Sequence, residues 1–275
     1  MACDNKDRRS WYLMLHLRRF LRIEIMKKAI IIGATSGIGY ELAKTLLAEG
    51  WQVAACGRRL ERLQNLQNEC ATSSLHIATM DVRDSAATQV LDSLLAKMGS
   101  VDLLLYASGI GKQNPQLDEE IELNTIATNN IGMVRVLCHF LNYVKTSPEY
   151  HAKRKAHVAV ITSVAGTAGM GSAPAYSASK RMQMTYLSAM RQFCCMEKIP
   201  ALLSDVRPGF VETDILNPNK HYPMLMSRET AVKHMLRVIR RRPRVYTFDW
   251  RFRCLVAFWK LIPTFLWERI SIVKN

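Results

Sequence analysis

The run Lys28-Ala29-Ile30-Ile31-Ile32 passes without a break into Gly33-Ala34-Thr35-Ser36-Gly37-Ile38-Gly39, and no other stretch of the chain limits its fold so tightly. Four apolar residues in a row read as a strand buried on both faces, which places it inside a parallel sheet. The glycines are spaced G-x3-G-x-G, and the next segment, Tyr40 to Glu49, reads as a helix. Three glycines alone would say little, but a strand before and a helix after make the start of a βαβ unit. Glycines there let the backbone approach a pyrophosphate, whose charge is met by free N–H groups at the helix start. The expected phosphate cradle is Gly33, Thr35, Ser36, Gly37, Ile38 and Gly39.

A second strand, Trp51 to Cys56, ends in Gly57-Arg58-Arg59. Folds that bind NAD present an acid at this place to the ribose 2′-hydroxyl, and no acid is present. Arg58 and Arg59 instead suit the 2′-phosphate of NADP, because a guanidinium grips phosphate through paired hydrogen bonds. The competing reading is a solvated helix start, Arg58-Arg59-Leu60-Glu61-Arg62. Further on, strands are expected over Val101 to Tyr106, His157 to Thr162, Ala201 to Val206 and Arg244 to Phe248, with a helix over Arg228 to Arg241. At 275 residues, with no internal repeat or low-complexity linker, this alternation predicts one α/β domain with a parallel sheet.

Ser163, Tyr176 and Lys180 carry the chemistry. Pro174 suits a helix start, and Ala175 to Met190 contains no Gly or Pro, so Tyr176 and Lys180 share one helix face a turn apart. A cation nearby and a helix N-terminus both favour the phenolate, and each pKa unit corresponds to about 1.4 kcal/mol. Such a tyrosine can give a proton to a carbonyl oxygen or take one from an alcohol, with Ser163 holding the oxygen. Tyr-x3-Lys alone is also what an exposed lysine beside a half-buried tyrosine looks like.

Taken in order, these motifs make the chain resemble the short-chain dehydrogenase/reductase family over about Lys27 to Phe248. The resemblance implies a Rossmann-type, doubly wound, seven-stranded parallel sheet. It implies that Asp81 and Val82, in Thr79-Met80-Asp81-Val82, lie at the adenine, and that Gly109 closes the turn after the fourth strand. That turn reads Tyr106-Ala107-Ser108-Gly109 where the family usually has Asn-Asn-Ala-Gly; the lost asparagine puts local sheet stabilisation in question more than catalysis. The family's relay asparagine falls on Asn129, favoured over Asn130 by its spacing to Gly132. Arg207-Pro208-Gly209-Phe210-Val211-Glu212-Thr213 matches the segment beside the nicotinamide, implying contacts from Pro208, Gly209, Val211 and Thr213. Asn129, Ser163, Tyr176 and Lys180 then form the catalytic set.

The seven cysteines are scattered, with no metal-type Cys-x2-Cys, and read as reduced cytoplasmic thiols; the seven histidines form no ligand cluster, and no metal is expected. The net charge of +15 is concentrated at the C-terminus, where Lys233 to Asn275 holds eleven lysines and arginines against Asp249 and Glu268. Nothing resembles a nucleic-acid motif. Three segments are expected: an N-terminal extension, 1–25; the catalytic domain, 26–249; and an amphipathic tail, 250–275. The extension reads as a misassigned start before Met26-Lys27-Lys28, or as a basic amphipathic membrane helix around Trp11 to Leu17; no small-residue cleavage site follows it. The tail is apolar and aromatic, but Lys260, Pro263, Glu268 and Arg269 argue against a span. It fits either an interfacial membrane helix, peripheral at an inner membrane face, or an arm closing the pocket or a dimer.

The leading expectation is an NADPH-dependent carbonyl reductase, reversible as an alcohol dehydrogenase and forming a homo-oligomer. The loop Phe210 to Met226, with Phe210, Ile215, Leu216, Tyr222, Met224, Leu225 and Met226, points to an apolar lipid-like or steroid-like ketone. The rivals are a non-catalytic NADPH-binding redox sensor and a reductase of carrier-bound β-ketoacyl groups.

Overall fold

The computed structural model describes residues 27–152, 154–216 and 221–270. The N-terminal extension 1–25 with Met26, Lys153, residues 217–220 of the substrate loop and the last five residues of the tail lie outside the described set.

β1 (Lys28–Ile32) leads into α1 (Gly37–Ala48), followed by β2 (Gln52–Gly57), α2 (Leu60–Cys70), β3 (Leu75–Thr79), α3 (Ala87–Met98) and β4 (Leu103–Tyr106). The second half comprises α4 (Glu119–Ile126), a π-helical turn (Ala127–Ile131), α5 (Gly132–Thr146), β5 (Ala156–Ile161), a 3-10 turn (Val164–Thr167) and α6 (Pro174–Met196). β6 (Ala201–Arg207), α7 (Arg228–Arg241), β7 (Val245–Thr247), α8 (Trp250–Trp259) and α9 (Thr264–Trp267) follow. All seven strands pair in parallel in the order β3-β2-β1-β4-β5-β6-β7. This is the single-domain, doubly wound Rossmann-type sheet that the sequence predicts.

Strand periodicity divides the core in two. Ile30 and Ile32 of β1 join Ala54, Cys56, Leu104, Tyr106 and Val158 on one face, under Leu91, Phe140 and Leu187 from α3, α5 and α6. Ala29 and Ile31 point to the other face with Val53, Ala55 and Leu105, under Leu42, Leu63 and Met235 from α1, α2 and α7. Because both faces are covered, the central strands are apolar at every position rather than at alternate ones.

Boundaries shift where hydrogen bonds, rather than composition, set them. α1 begins at Gly37 instead of Tyr40, since glycine is tolerated in a first turn whose N–H groups have no helical acceptor. α6 runs six residues past Met190, to Met196. β7 covers only Val245–Thr247 of the expected Arg244 to Phe248. The order places the β1–α1 turn, the residues after β4, the 3-10 turn after β5 and the segment after β6 at the carboxyl ends of adjacent strands, where open parallel sheets bind ligands.

Candidate active site

The turn after β1 leaves no room for a side chain at Gly33 or Gly39. Gly33 has φ +96°, and a Cβ there would lie 2.5 Å from the backbone nitrogen of Ser108; a Cβ on Gly39 would lie 2.3 Å from the Gly33 carbonyl oxygen. Ser36 stands at the α1 cap in an extended conformation, and its side chain makes no capping hydrogen bond. The first-turn N–H groups of Gly37, Ile38 and Gly39 therefore have no intrahelical acceptor, an arrangement that fits a phosphate. Thr213 packs over this turn, its Cγ2 being 2.9 Å from where a Cβ on Gly37 would stand, and its hydroxyl donates to the Val211 carbonyl at 3.1 Å.

At the end of β2 the two arginines separate. Arg59 folds over the turn, donating to the Thr35 hydroxyl at 3.2 Å and the Thr35 carbonyl at 3.3 Å, with a second contact to Asp214 at 3.3 Å. Arg58 is exposed and free of such contacts among those described, as a 2′-phosphate partner would need to be. Asp81, expected at the adenine, has its carboxylate engaged by Arg83, whose Nε lies 3.0 Å from each oxygen. Arg83 holds this carboxyl below the usual carboxylate range, with Arg58 adding at longer reach. The Val82 carbonyl accepts from Arg135. Arg83 and Arg135 carried no motif that could have announced these contacts.

The catalytic candidates converge around α6. Asn129 is fully buried in the π-helical turn, a feature common at functional sites. Its Oδ1 accepts from the Ile110 N–H at 2.8 Å, and its Nδ2 donates to the Ile110 carbonyl at 2.8 Å and the Ser179 hydroxyl at 2.9 Å. It thereby ties the chain after β4 to α6, while Asn130 turns to the Ser179 carbonyl and the Met182 sulfur. Gly132, the spacing landmark, is glycine because a Cβ would come within 2.5 Å of Val82 Cγ2. Tyr106, in place of the family asparagine, is fully buried and donates to the Thr128 carbonyl at 2.8 Å, so the strand is tied to the π turn by another route.

Ser163 caps the 3-10 turn, accepting from the Ala165 N–H at 3.1 Å, and its side chain lies near enough to the Tyr176 hydroxyl to favour the phenolate. Tyr176 lies between Gly111, where a Cβ would meet its Cδ2 at 2.5 Å, and Lys180, whose Nζ is 5.7 Å from the ring centroid. Lys180 donates to the Ile161 carbonyl at 3.0 Å, and a Cβ on Gly109 would stand 3.3 Å from its Nζ. The Pro208 carbonyl accepts from the Val164 N–H at 3.0 Å, joining the segment after β6 to the 3-10 turn.

The electrostatics differ from the sequence expectation in one respect. Burial pushes the Tyr176 phenol above its ordinary value and the Ser163 side chain only partly opposes it, so Tyr176 keeps its proton at neutral pH without bound cofactor. Lys180 does not bring the phenol down here, because its ammonium faces the ring and bonds Ile161. Burial also pushes Lys180 down from 10.5 to about 8, against the pull of Asp205. Between those values the unfolded chain holds more protons than the folded one, so this lysine's cost to stability is full below about pH 8 and fades as pH rises toward 10.5. Denaturant midpoints of the wild type should therefore gain on those of Lys180→Met as pH is raised from 7 to 10.

The tail supplies contacts that no motif announced. The Phe252 ring of α8 fills the space beside Gly209, where a Cβ would meet it at 2.1 Å, and stands edge-on to Phe210 at 6.2 Å. Phe210 in turn meets Tyr222 at 5.0 Å. Trp267 of α9 donates from Nε1 to the Gly169 carbonyl at 2.6 Å, just beyond the Ser163 turn. The tail therefore packs against the segments after β5 and β6, and no described helix is long and apolar enough to cross a membrane.

A parallel sheet with a phosphate-fitting turn and a serine, tyrosine and lysine grouped at its carboxyl edge defines a nicotinamide-dependent oxidoreductase. The chain belongs to the short-chain dehydrogenase family, whose model matches residues 27–222. It is 28% identical over 248 residues to an uncharacterized oxidoreductase of Myxococcus xanthus, covering 88% of this chain and 95% of that one. It is 29% identical over 197 residues to dehydrogenase/reductase SDR family member 7B of Xenopus tropicalis, covering 68% of this chain but only 61% of the frog protein. Among solved structures, actinorhodin polyketide ketoreductase with NADPH superposes with a TM-score of 0.61 at 28% identity, over 69% of this chain and 72% of that one. ElxO with NADP bound gives 0.72 at 17% identity, over 84% and 100%, a likeness of fold.

Proposed function

We propose that the protein is an NADPH-dependent carbonyl reductase acting on apolar ketones or aldehydes, and running in reverse, with NADP+ as hydride acceptor, as a dehydrogenase of alcohols. The observation that carries this reading is the contact of Ser163, Tyr176 and Lys180 at the carboxyl edge of the sheet, with the tyrosine held protonated by burial. Bound NADPH would supply the hydride to the carbonyl carbon. Ser163 holds the carbonyl oxygen, and Tyr176 gives it the proton that completes the alcohol. Lys180 stands over the tyrosine ring and would hold the nicotinamide ribose, its ammonium mostly charged at neutral pH. Asn129 keeps the chain after β4 against α6, which holds Ile110 beside the helix that carries Tyr176 and Lys180.

The residues toward the cofactor are the turn Gly33 to Gly39, Arg58 and Arg59, Asp81 and Val82, Gly109, and Pro208 to Thr213. Arg58 stands free at the end of β2, so Arg58→Asp should weaken NADPH about 10- to 100-fold, the loss of one charge-assisted phosphate contact, and leave NADH within about threefold. Fluorescence titration with both nucleotides measures this; an unchanged ratio would move the 2′-phosphate elsewhere.

Support for apolar substrates comes from the rings after β6, where Phe210 meets Tyr222 at 5.0 Å and Phe252, edge-on, at 6.2 Å. A panel of aliphatic, steroid-like and small polar ketones should show activity rising with apolar surface. A second reading, reduction of a carrier-bound β-ketoacyl group, draws support from the likeness to the polyketide ketoreductase. Faster turnover of a carrier-linked ketone than of the same free ketone would favour it.

A further inference from the structure

The two faces of the tail differ. The inner face is docked: Phe252 is 2% exposed against Gly209, and Trp267 is tied to Gly169 and pairs with Trp259 at 4.7 Å between ring centroids. On the outer face Trp250, Leu255, Phe258, Leu261, Phe265 and Leu266 are between 45 and 77% exposed. Leu255 and Phe258 are three apart and share one side of α8, Leu261 follows in the turn after it, and Phe265 and Leu266 lie on α9, so the exposed apolar residues run along the tail. Leu117, Leu123, Ile131, Phe193 and Met196 are exposed elsewhere, but six bulky apolar side chains within 17 residues, three of them aromatic, concentrate the exposed apolar surface on the tail and mark it as a contact surface.

Charge selects the occupant. Arg253, Lys260 and Arg269 lie along the same stretch with no ion pair among those described, whereas Arg251 is taken up by Asp249 at 2.6 Å. Asp249 is thereby neutralised and nearly buried, which leaves Glu268 as the one acid against three cations on 250–270. Tryptophan, phenylalanine and leucine interleaved with unpaired cations suit the boundary between headgroups and acyl chains, with the cations facing anionic lipid.

We propose that the outer face of α8 and α9 docks on an anionic lipid surface. The inner face of the same helices packs on Gly209 and Gly169, in the segments after β6 and β5 that carry the proposed site, so docking would set that site beside the acyl layer, from which an apolar ketone would enter. The second part rests on the carbonyl-reductase reading; the docking itself does not.

The test is co-sedimentation of the full chain with vesicles of phosphatidylcholine alone and of phosphatidylcholine with phosphatidylserine. Binding should be at least about tenfold stronger to the anionic vesicles, as expected for three cations near the surface, and should weaken with salt. The double substitution Phe258→Asp, Leu261→Asp touches only exposed positions and should abolish sedimentation while NADPH titration stays unchanged. Absence of binding to anionic vesicles, or binding that survives the double substitution, overturns the proposal. So does a wild-type dimer in light scattering that the substitution dissociates without affecting sedimentation, which would assign the stripe to a second copy. If vesicles bind as expected but no ketone is reduced, docking stands and the reductase reading falls.

Discussion

Tyr176→Phe is expected to lower kcat for ketone reduction by about 10²- to 10⁴-fold, the range that a positioned acid contributes, and to leave NADPH affinity within about threefold. The substitution removes one oxygen and leaves the ring. That ring is what Gly111 packs against, and its face is what Lys180 stands over, so neither contact is lost. Ser163 keeps its bond from the Ala165 N–H, and the cost to stability should stay within about 1 kcal/mol, the scale of one hydrogen bond. Burial raises the phenol, so wild-type reduction should be flat across neutral pH, with the acid form fully present, while oxidation of the alcohol should climb as pH rises and the phenolate appears. Steady-state NADPH consumption in both directions, across pH, checks each point. Turnover by the phenylalanine variant within tenfold of wild type would mean that the proton comes from elsewhere.

The parts of this molecule legible in its sequence are those written in short range. Lys28 to Ile32 announces its own strand because a strand covered on both faces must be apolar throughout, and the glycine turn after it announces itself because no side chain fits. Tyr176 and Lys180 are four apart on a helix, and a helix puts them together unaided. What sequence does not show is what depends on partners far along the chain. Gln183 donates to the Asn129 carbonyl across 54 residues at 2.6 Å, and Glu122 accepts from the Ala175 N–H across 53 at 2.7 Å, holding the start of α6. Phe252 meets Gly209, and Trp267 meets Gly169, only because the tail folds back over the strand ends. A run of apolar residues in the tail reads equally as a lid or as a membrane face; with the chain folded, its two sides differ. The Tyr176 pKa departs from expectation for a related reason: spacing shows that a lysine is near, but not that its ammonium points at Ile161, nor how much water the phenol has lost.

Gly39→Ala is expected to weaken NADPH binding by at least about 100-fold and to destabilise the fold by about 1–3 kcal/mol, the range for forcing extra atoms into a filled space. The added methyl would lie 2.3 Å from the Gly33 carbonyl oxygen and 3.4 Å from the Ala107 Cβ. The close neighbour is backbone and cannot swing aside as a flexible side chain would, so either β1 or the first turn of α1 must move. Neither moves freely. β1 is a central strand, hydrogen-bonded to β2 and β4, and Ile30, Ile31 and Ile32 are fully buried. The displacement therefore falls on α1, whose first-turn N–H groups must converge on one phosphate; a shift of about 1 Å there is enough to cost two orders of magnitude where geometry is set this tightly. Gly171→Ala is the control, because a Cβ there would meet nothing within 4 Å and its φ is ordinary, so stability and cofactor binding should both be unchanged. Thermal midpoints with and without NADPH separate the two effects: the Gly39 variant should melt earlier than wild type and gain nothing from the nucleotide. A variant that melts early yet is stabilised by NADPH as much as wild type would place the pyrophosphate away from this turn.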